Sequence, residues 1–199
     1  MPQKVDVTRR KREIAKIALG LFAQIGYENV SFLMIAEAAK VARTAMYRCF
    51  RSKRDVMDAA IATVIAEIDV RSREALLTRD RASVRLERVC HAVADVMFRE
   101  REFVIAVFDF VMEMVRQGED MGARINLQTR PLLELIQRLA REAERCGDFP
   151  KGMNVKRIAD VIYTAFESCA MRIFFGTECD SMAAKARLSN TIHAISSYR

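Results

Sequence analysis

Apolar residues recur every three or four positions through nearly the whole chain, which is the signature of amphipathic helices. Ile14, Ile17, Ala18, Leu21, Phe22 and Ile25 form one such stripe, ending at Gly26, and the basic run Arg9 to Arg12 leads into it. Ser31 is a good N-cap for a second, short helix carrying Phe32, Ile35, Ala36 and Ala39. After a break at Lys40 and Val41, residues 43 to 49 suit a third helix of about two turns. Its Ala45 and Met46 face inward, and Arg43, Thr44, Tyr47 and Arg48 remain outward. Two short helices joined by a tight turn, the second exposing Arg, Thr and Tyr, predict a helix-turn-helix.

From Lys53 the stripe resumes with Val56, Met57, Ala60, Ile61, Val64 and Ile65, predicting a fourth helix that runs past residue 70. Further helices are expected at about 82–99, 102–116, 119–128, 131–146, 154–175 and 180–197. Breaks are expected at Gly118, Pro131, Gly147 to Gly152 and Gly176. Few Gly and Pro and no Trp in 199 residues support the same all-α reading.

Charge sharpens the picture. Residues 1–54 hold twelve Lys/Arg and four Asp/Glu, a sum of +8, so the remainder of a chain at +7 sums to −1. A compact basic segment beside a near-neutral one is the footprint of a polyanion-binding module. The expected division is therefore a polyanion-binding helix-turn-helix domain over 1–54 and a larger helical domain over 55–199.

The five cysteines lack paired spacing, and only His91 and His193 could complete a metal site, so no metal and no cofactor is expected. No apolar run approaches the roughly 20 residues of a membrane span, and no secretory signal follows the N-terminus. A cytoplasmic protein with reduced thiols is expected. No phosphate-binding glycine loop, zinc-protease motif or nucleophile elbow is present, and no enzyme is expected.

The stretch from Ile17 to Met57 resembles the TetR-type bacterial transcriptional regulators. Leu21-Phe22, Gly26-Tyr27, Ile35-Ala36, Val41, Tyr47, Phe50 and Lys53 all fall at that family's usual spacing. The resemblance implies a recognition helix bearing Arg43, Thr44 and Arg48, with Ala45 and Tyr47 at backbone-contacting positions. It also implies that Lys53, at the start of the fourth helix, lies where its ammonium and the helix N-terminus favour a phosphate. The chain departs from the family at Lys40 and Thr44, where Gly is usual, at Ala42, where Ser or Thr is usual, at Ala45, where Thr is usual, and at Cys49, often His. Ala42 removes a helix cap, and Lys40 at a left-handed turn carries strain but offers the backbone of DNA a cation.

In the larger module, helix 102–116 is apolar almost all round and should lie between other helices. Asp109 and Glu113 share a face of it. They could wall an apolar pocket that selects cations. A solvent stripe with Glu102, Ala106 and Arg116 is the favoured alternative, because buried unpaired carboxylates are rare. A cavity lined by His91, Phe108, Asp109, Met112, Glu113, Phe166 and Cys169 is the candidate effector site, an expectation that the resemblance supplies. Cys90 and Cys169 read as buried hydrophobes, and Cys146 and Cys179 as weak redox candidates.

The helices at about 154–175 and 180–197 carry apolar and small residues beyond what their own core needs, and two copies of each would form a symmetric four-helix dimer interface. The partners expected are a double-stranded DNA operator, an unknown small-molecule effector and a second copy of the chain. The function expected is a dimeric DNA-binding regulator, a repressor released by an apolar or amphipathic effector. The alternative is an all-α small-molecule-binding protein or enzyme that uses the C-terminal cavity.

Overall fold

A computed structural model describes residues 2–177 and 180–197, with side chains from residue 7 onward. Its elements are α1 (Pro2–Ile25), α2 (Phe32–Ala38), α3 (Arg43–Cys49), α4 (Lys53–Leu76), α5 (Ala82–Arg99), α6 (Arg101–Arg116), α7 (Met121–Arg145), α8 (Val155–Phe174) and α9 (Ser181–Ser196). The protein is all-α, with no strand among the described residues. Among the described residues no helix is long and apolar enough to cross a membrane.

The helix ends explain why the chain turns where it does. Ser31 Oγ accepts the Met34 amide at 3.1 Å and caps α2. Asn154 and Asp180 cap α8 and α9 in the same way. At the C-termini of α6 and α8, Gly118 and Gly176 hold left-handed backbone and close paired hydrogen bonds onto the last turn.

Two elements differ from the sequence reading. The first helix begins at Pro2, so the basic run Arg9 to Arg12 is part of α1. The expected break at Pro131 does not occur, and α7 is a single helix of 25 residues with Pro131 inside it. Proline's fixed φ is itself helical, and only one hydrogen bond, to the Leu127 carbonyl, is surrendered. Leu127 is exposed, so water can serve that carbonyl. Downstream, Ile136, Leu139, Ala140 and Ala143 are buried and hold the helix to the core.

The chain divides into two compact units, residues 1–66 with 100–121, and residues 67–99 with 122–199. The first has a core of Ile14, Ala18, Phe22, Tyr27, Ile35, Met46, Phe50, Val56 and Met57, joined by Ala106, Phe110 and Met114 of α6. Helix α6 thus lies among the N-terminal helices, and the compact unit extends well beyond the 1–54 segment marked by charge. The second core gathers Leu86, Val89, Cys90, Ile136, Leu139, Ile162, Phe166, Cys169, Leu188 and Ile192 from α5, α7, α8 and α9.

Candidate nucleic-acid interface

The apolar side of α3 is small. Met46 is fully buried, Ala45 is partly covered, and Phe50 at the C-cap is buried. That anchors a seven-residue helix that would not persist alone. The opposite side carries Arg43, Thr44, Tyr47 and Arg48, all exposed. Tyr47 is 51% exposed, yet its ring rests against Phe32 with centroids 5.0 Å apart, and the Arg43 guanidinium lies 5.8 Å from its centroid. The aromatic ring is held in place while its edge and hydroxyl stay available.

The turn between α2 and α3 is built on Lys40, whose φ of 52° is left-handed. The Lys40 amide donates to the Glu37 carbonyl and the Val41 amide to the Ala36 carbonyl, each at 3.0 Å. These two bonds define the motif that elsewhere in this chain uses glycine. A lysine here costs roughly 1 to 2 kcal/mol of backbone strain, and the side chain is exposed just ahead of α3. Ala42 sits at the α3 N-cap with extended backbone and makes no side-chain cap, so the first amides of α3 are left without that partner.

Lys53 does not offer its ammonium outward. Nζ donates to the Tyr27 carbonyl at 2.8 Å and the Glu28 carbonyl at 3.1 Å, and it sits 4.4 Å from the Tyr27 ring centroid. Its ammonium is thus already engaged at the position where the resemblance implies a phosphate contact. The group is drawn inward because the turn after α1 presents two carbonyls beside an aromatic face. The N-terminus of α4 is closed by its own residues as well. The Asp55 amide donates to Ser52 Oγ at 3.1 Å, and the Arg51 amide donates to Asp55 Oδ2 at 2.9 Å. The S-x-x-D spacing of Ser52 and Asp55 carried that signal in the sequence.

Asp109 adopts neither of its two expected roles. Its Oδ2 accepts the Tyr27 amide, and the same oxygen would lie 3.3 Å from a Cβ added at Gly26. Gly26 has φ +84°, so the turn needs glycine for conformation and for room. The carboxylate caps that turn. Burial pushes the Tyr27 phenol up to about 12, consistent with a ring packed between Phe22 and Phe110. Glu113 pairs locally, accepting from Gln117 at 2.8 Å and Arg116 at 3.3 Å, and these bonds hold its carboxyl below the usual range. Arg54 and Glu119 form a two-pronged ion pair.

The predicted effector residues fall in both units. Phe108, Asp109, Met112 and Glu113 belong to the first, where Met112 is 49% exposed. His91, Phe166 and Cys169 belong to the second. Phe166 and Cys169 are core side chains, and His91 Nε2 lies 2.9 Å from Ser189 Oγ, which donates to Glu87. A cavity of about 590 Å3 in the second unit is lined instead by residues such as Arg71, Thr78, Arg88, Asp95 and Arg99. Cys90 is fully buried, and that burial raises its thiol pKa, as a structural cysteine requires. Cys146 is exposed, and Cys179 lies outside the described residues. Among the described residues no group of three or more His, Cys, Asp or Glu could hold a metal.

Residues 14–60 match a family model described as bacterial regulatory proteins, tetR family. This segment is a tetR-family domain. Solved structures extend the likeness to the fold of nearly the whole chain. A fatty acid degradation regulator, FadR, from Bacillus halodurans aligns with a TM-score of 0.79 at 17% identity, covering 92% of this chain and 94% of the other. The ketosteroid transcriptional regulator KstR2 of Mycobacterium tuberculosis gives 0.72 at 15% identity over 94% of each chain. The TetR family transcriptional regulator PfmR from Thermus thermophilus gives 0.71 at 18%, covering 94% and 95%. No curated protein sequence matches the chain. The fold is that of TetR-family regulators, whose work is DNA-binding transcriptional regulation rather than catalysis.

Proposed function

We propose that this protein is a dimeric repressor that reads an operator with α3 and is released by a small apolar or amphipathic effector. The observation that carries the reading is the two-sided recognition helix. Met46 pins α3 to a core while Arg43, Thr44, Tyr47 and Arg48 stand exposed within the tetR-family segment. Arg and Thr on a short helix can meet base edges in the major groove, and Tyr47 and Lys40 suit the sugar-phosphate backbone.

A single two-turn helix covers too few base pairs for selectivity, so two copies about 34 Å apart, one turn of B-DNA, are needed. Exposed Val161, Met171 and Phe174 on α8 and Met182 on α9 support dimerisation through these helices. Effector release is supported by the cavity in the second unit and by two fold relatives, a fatty acid degradation regulator and a ketosteroid transcriptional regulator. Ligand and DNA would then oppose each other by the same coupling free energy, about 1 to 3 kcal/mol.

The test is fluorescence anisotropy with a duplex selected by the full-length protein from a random pool and with a scrambled duplex of equal length. Saturation of the selected duplex at two protomers per site is expected, with weak binding to the scrambled one. Equal weak binding to both, or saturation at one protomer, contradicts the proposal.

A further inference from the structure

Arg43 is the first residue of α3, an unfavourable place for a cation that has to hold one position. The first amides of a helix carry partial positive charge, and Ala42 brings no side-chain oxygen to offset it. An arginine is also long, and fixing it for base readout surrenders rotamer freedom. A guanidinium that meets a base edge already oriented needs support from elsewhere in the fold.

Two aromatic rings supply that support. Tyr47 lies four residues after Arg43, the spacing that puts two side chains on one helix face. Helical side chains lean toward the N-terminus, which carries the Tyr47 ring back toward the first turn. The guanidinium carbon of Arg43 stands 5.8 Å from the ring centroid, within cation–π range. Tyr47 is 51% exposed and would swing freely without Phe32. The centroids of these two rings are 5.0 Å apart and their planes are inclined by 50°, a tilted contact of the kind aromatic pairs favour. Phe32 is held in turn. It is partly buried against the first core, and it opens α2, where the Ser31 cap fixes the backbone. Support therefore runs from the core through Phe32 and Tyr47 to Arg43.

We propose that Phe32 and Tyr47 are positioning residues that hold the Arg43 guanidinium ready for a base edge, so that operator discrimination by Arg43 depends on both rings. This rests on the DNA-reading proposal above, and it gives the Tyr47 ring a role separate from that of its hydroxyl. Phe32 acts only through Tyr47. A preset guanidinium forms its hydrogen bonds to a base edge, such as guanine O6 and N7, at a smaller ordering cost. On a scrambled duplex, where the matching base is not in place, presetting gains nothing. The effect therefore appears in the ratio of the two affinities.

The test measures the selected-to-scrambled affinity ratio by anisotropy at fixed salt for full-length Tyr47→Leu, Tyr47→Phe and Phe32→Leu, with urea midpoints to confirm folding. Each is made with Arg43 intact and in the Arg43→Ala background. With Arg43 intact, Tyr47→Leu and Phe32→Leu should each lower the ratio about 2- to 5-fold, the size of an exposed cation–π contact. Tyr47→Phe keeps the ring and should keep the ratio, whatever the hydroxyl contributes to both affinities alike. In the Arg43→Ala background Tyr47→Leu should no longer change the ratio, because the group it serves is gone. An unchanged ratio in Tyr47→Leu, or an equal fall in ratio without Arg43, overturns the positioning role while the reading by α3 stands. A wild-type ratio in Arg43→Ala itself overturns the Arg43 base contact and the positioning role together. A wild-type protein that does not distinguish the two duplexes contradicts the DNA reading. Tyr47 is half exposed, so its variants decide the question even where Phe32→Leu lowers stability.

Discussion

Lys40 and Ala42 show how far single positions in the recognition element depart from the least costly choice. Lys40 occupies left-handed backbone at φ 52°, and the paired hydrogen bonds of this turn, Lys40 amide to Glu37 carbonyl and Val41 amide to Ala36 carbonyl, are those that form around a glycine. Ala42 caps α3 with no side-chain bond. Its backbone, at φ −61° and ψ 144°, is already that of an N-cap. Ala42→Ser therefore needs no rearrangement, and it should stabilise the protein by about 1 kcal/mol, read as a higher urea midpoint at unchanged m-value. A lower midpoint would show that α3 is already held otherwise. Both departures were legible in the sequence, because an alanine lacks a capping oxygen and a lysine lacks glycine's freedom wherever they fall. The inward turn of Lys53 was not. It depends on two carbonyls and an aromatic ring supplied by residues 27 and 28, some 25 positions away.

At the scale of elements, periodicity placed α2, α8 and α9 because each has a clear apolar stripe with a capping residue at its start, and α3 and α5 by their stripes alone. It failed at Pro131, where a proline's local cost was outweighed by the buried stripe from Ile136 to Ala143. It also could not show what Asp109 faces. Periodicity gives the side of α6 on which a carboxylate lies, and whether that side meets solvent or the Gly26–Tyr27 turn depends on which helix packs there. The packed turn has a pH signature. Burial raises the Tyr27 phenol from 10.0 to about 12, so the folded state disfavours ionisation. The stability tied to the neutral phenol is complete below about pH 10 and is lost as pH rises through about 12. The loss is on the order of 2 to 3 kcal/mol. Compared from pH 8 to 11.5, the urea midpoint of the wild type should fall relative to that of Tyr27→Phe as pH rises. A constant gap between them contradicts a buried phenol at this turn.

At the scale of the molecule, charge segregation marks residues 1–54, and the first compact unit is larger than that segment because α6 joins its core. The charge pattern could not reveal this, since α6 is nearly apolar and carries little of the sign bias. The residues expected to line an effector site divide between the two units. The arginine-rich cavity of the second unit was not legible because Arg71, Arg88 and Arg99 look, in sequence, like ordinary solvated helix faces. We propose base reading for the exposed side of α3.

The most direct test of that claim is the affinity ratio between selected and scrambled duplexes for Arg43→Ala and Arg48→Ala, measured by anisotropy at fixed salt. Each substitution should lower the ratio about 5- to 150-fold, equivalent to about 1 to 3 kcal/mol of base discrimination. An unchanged ratio in both variants, with folding intact, would contradict the assignment of α3 as the reading helix.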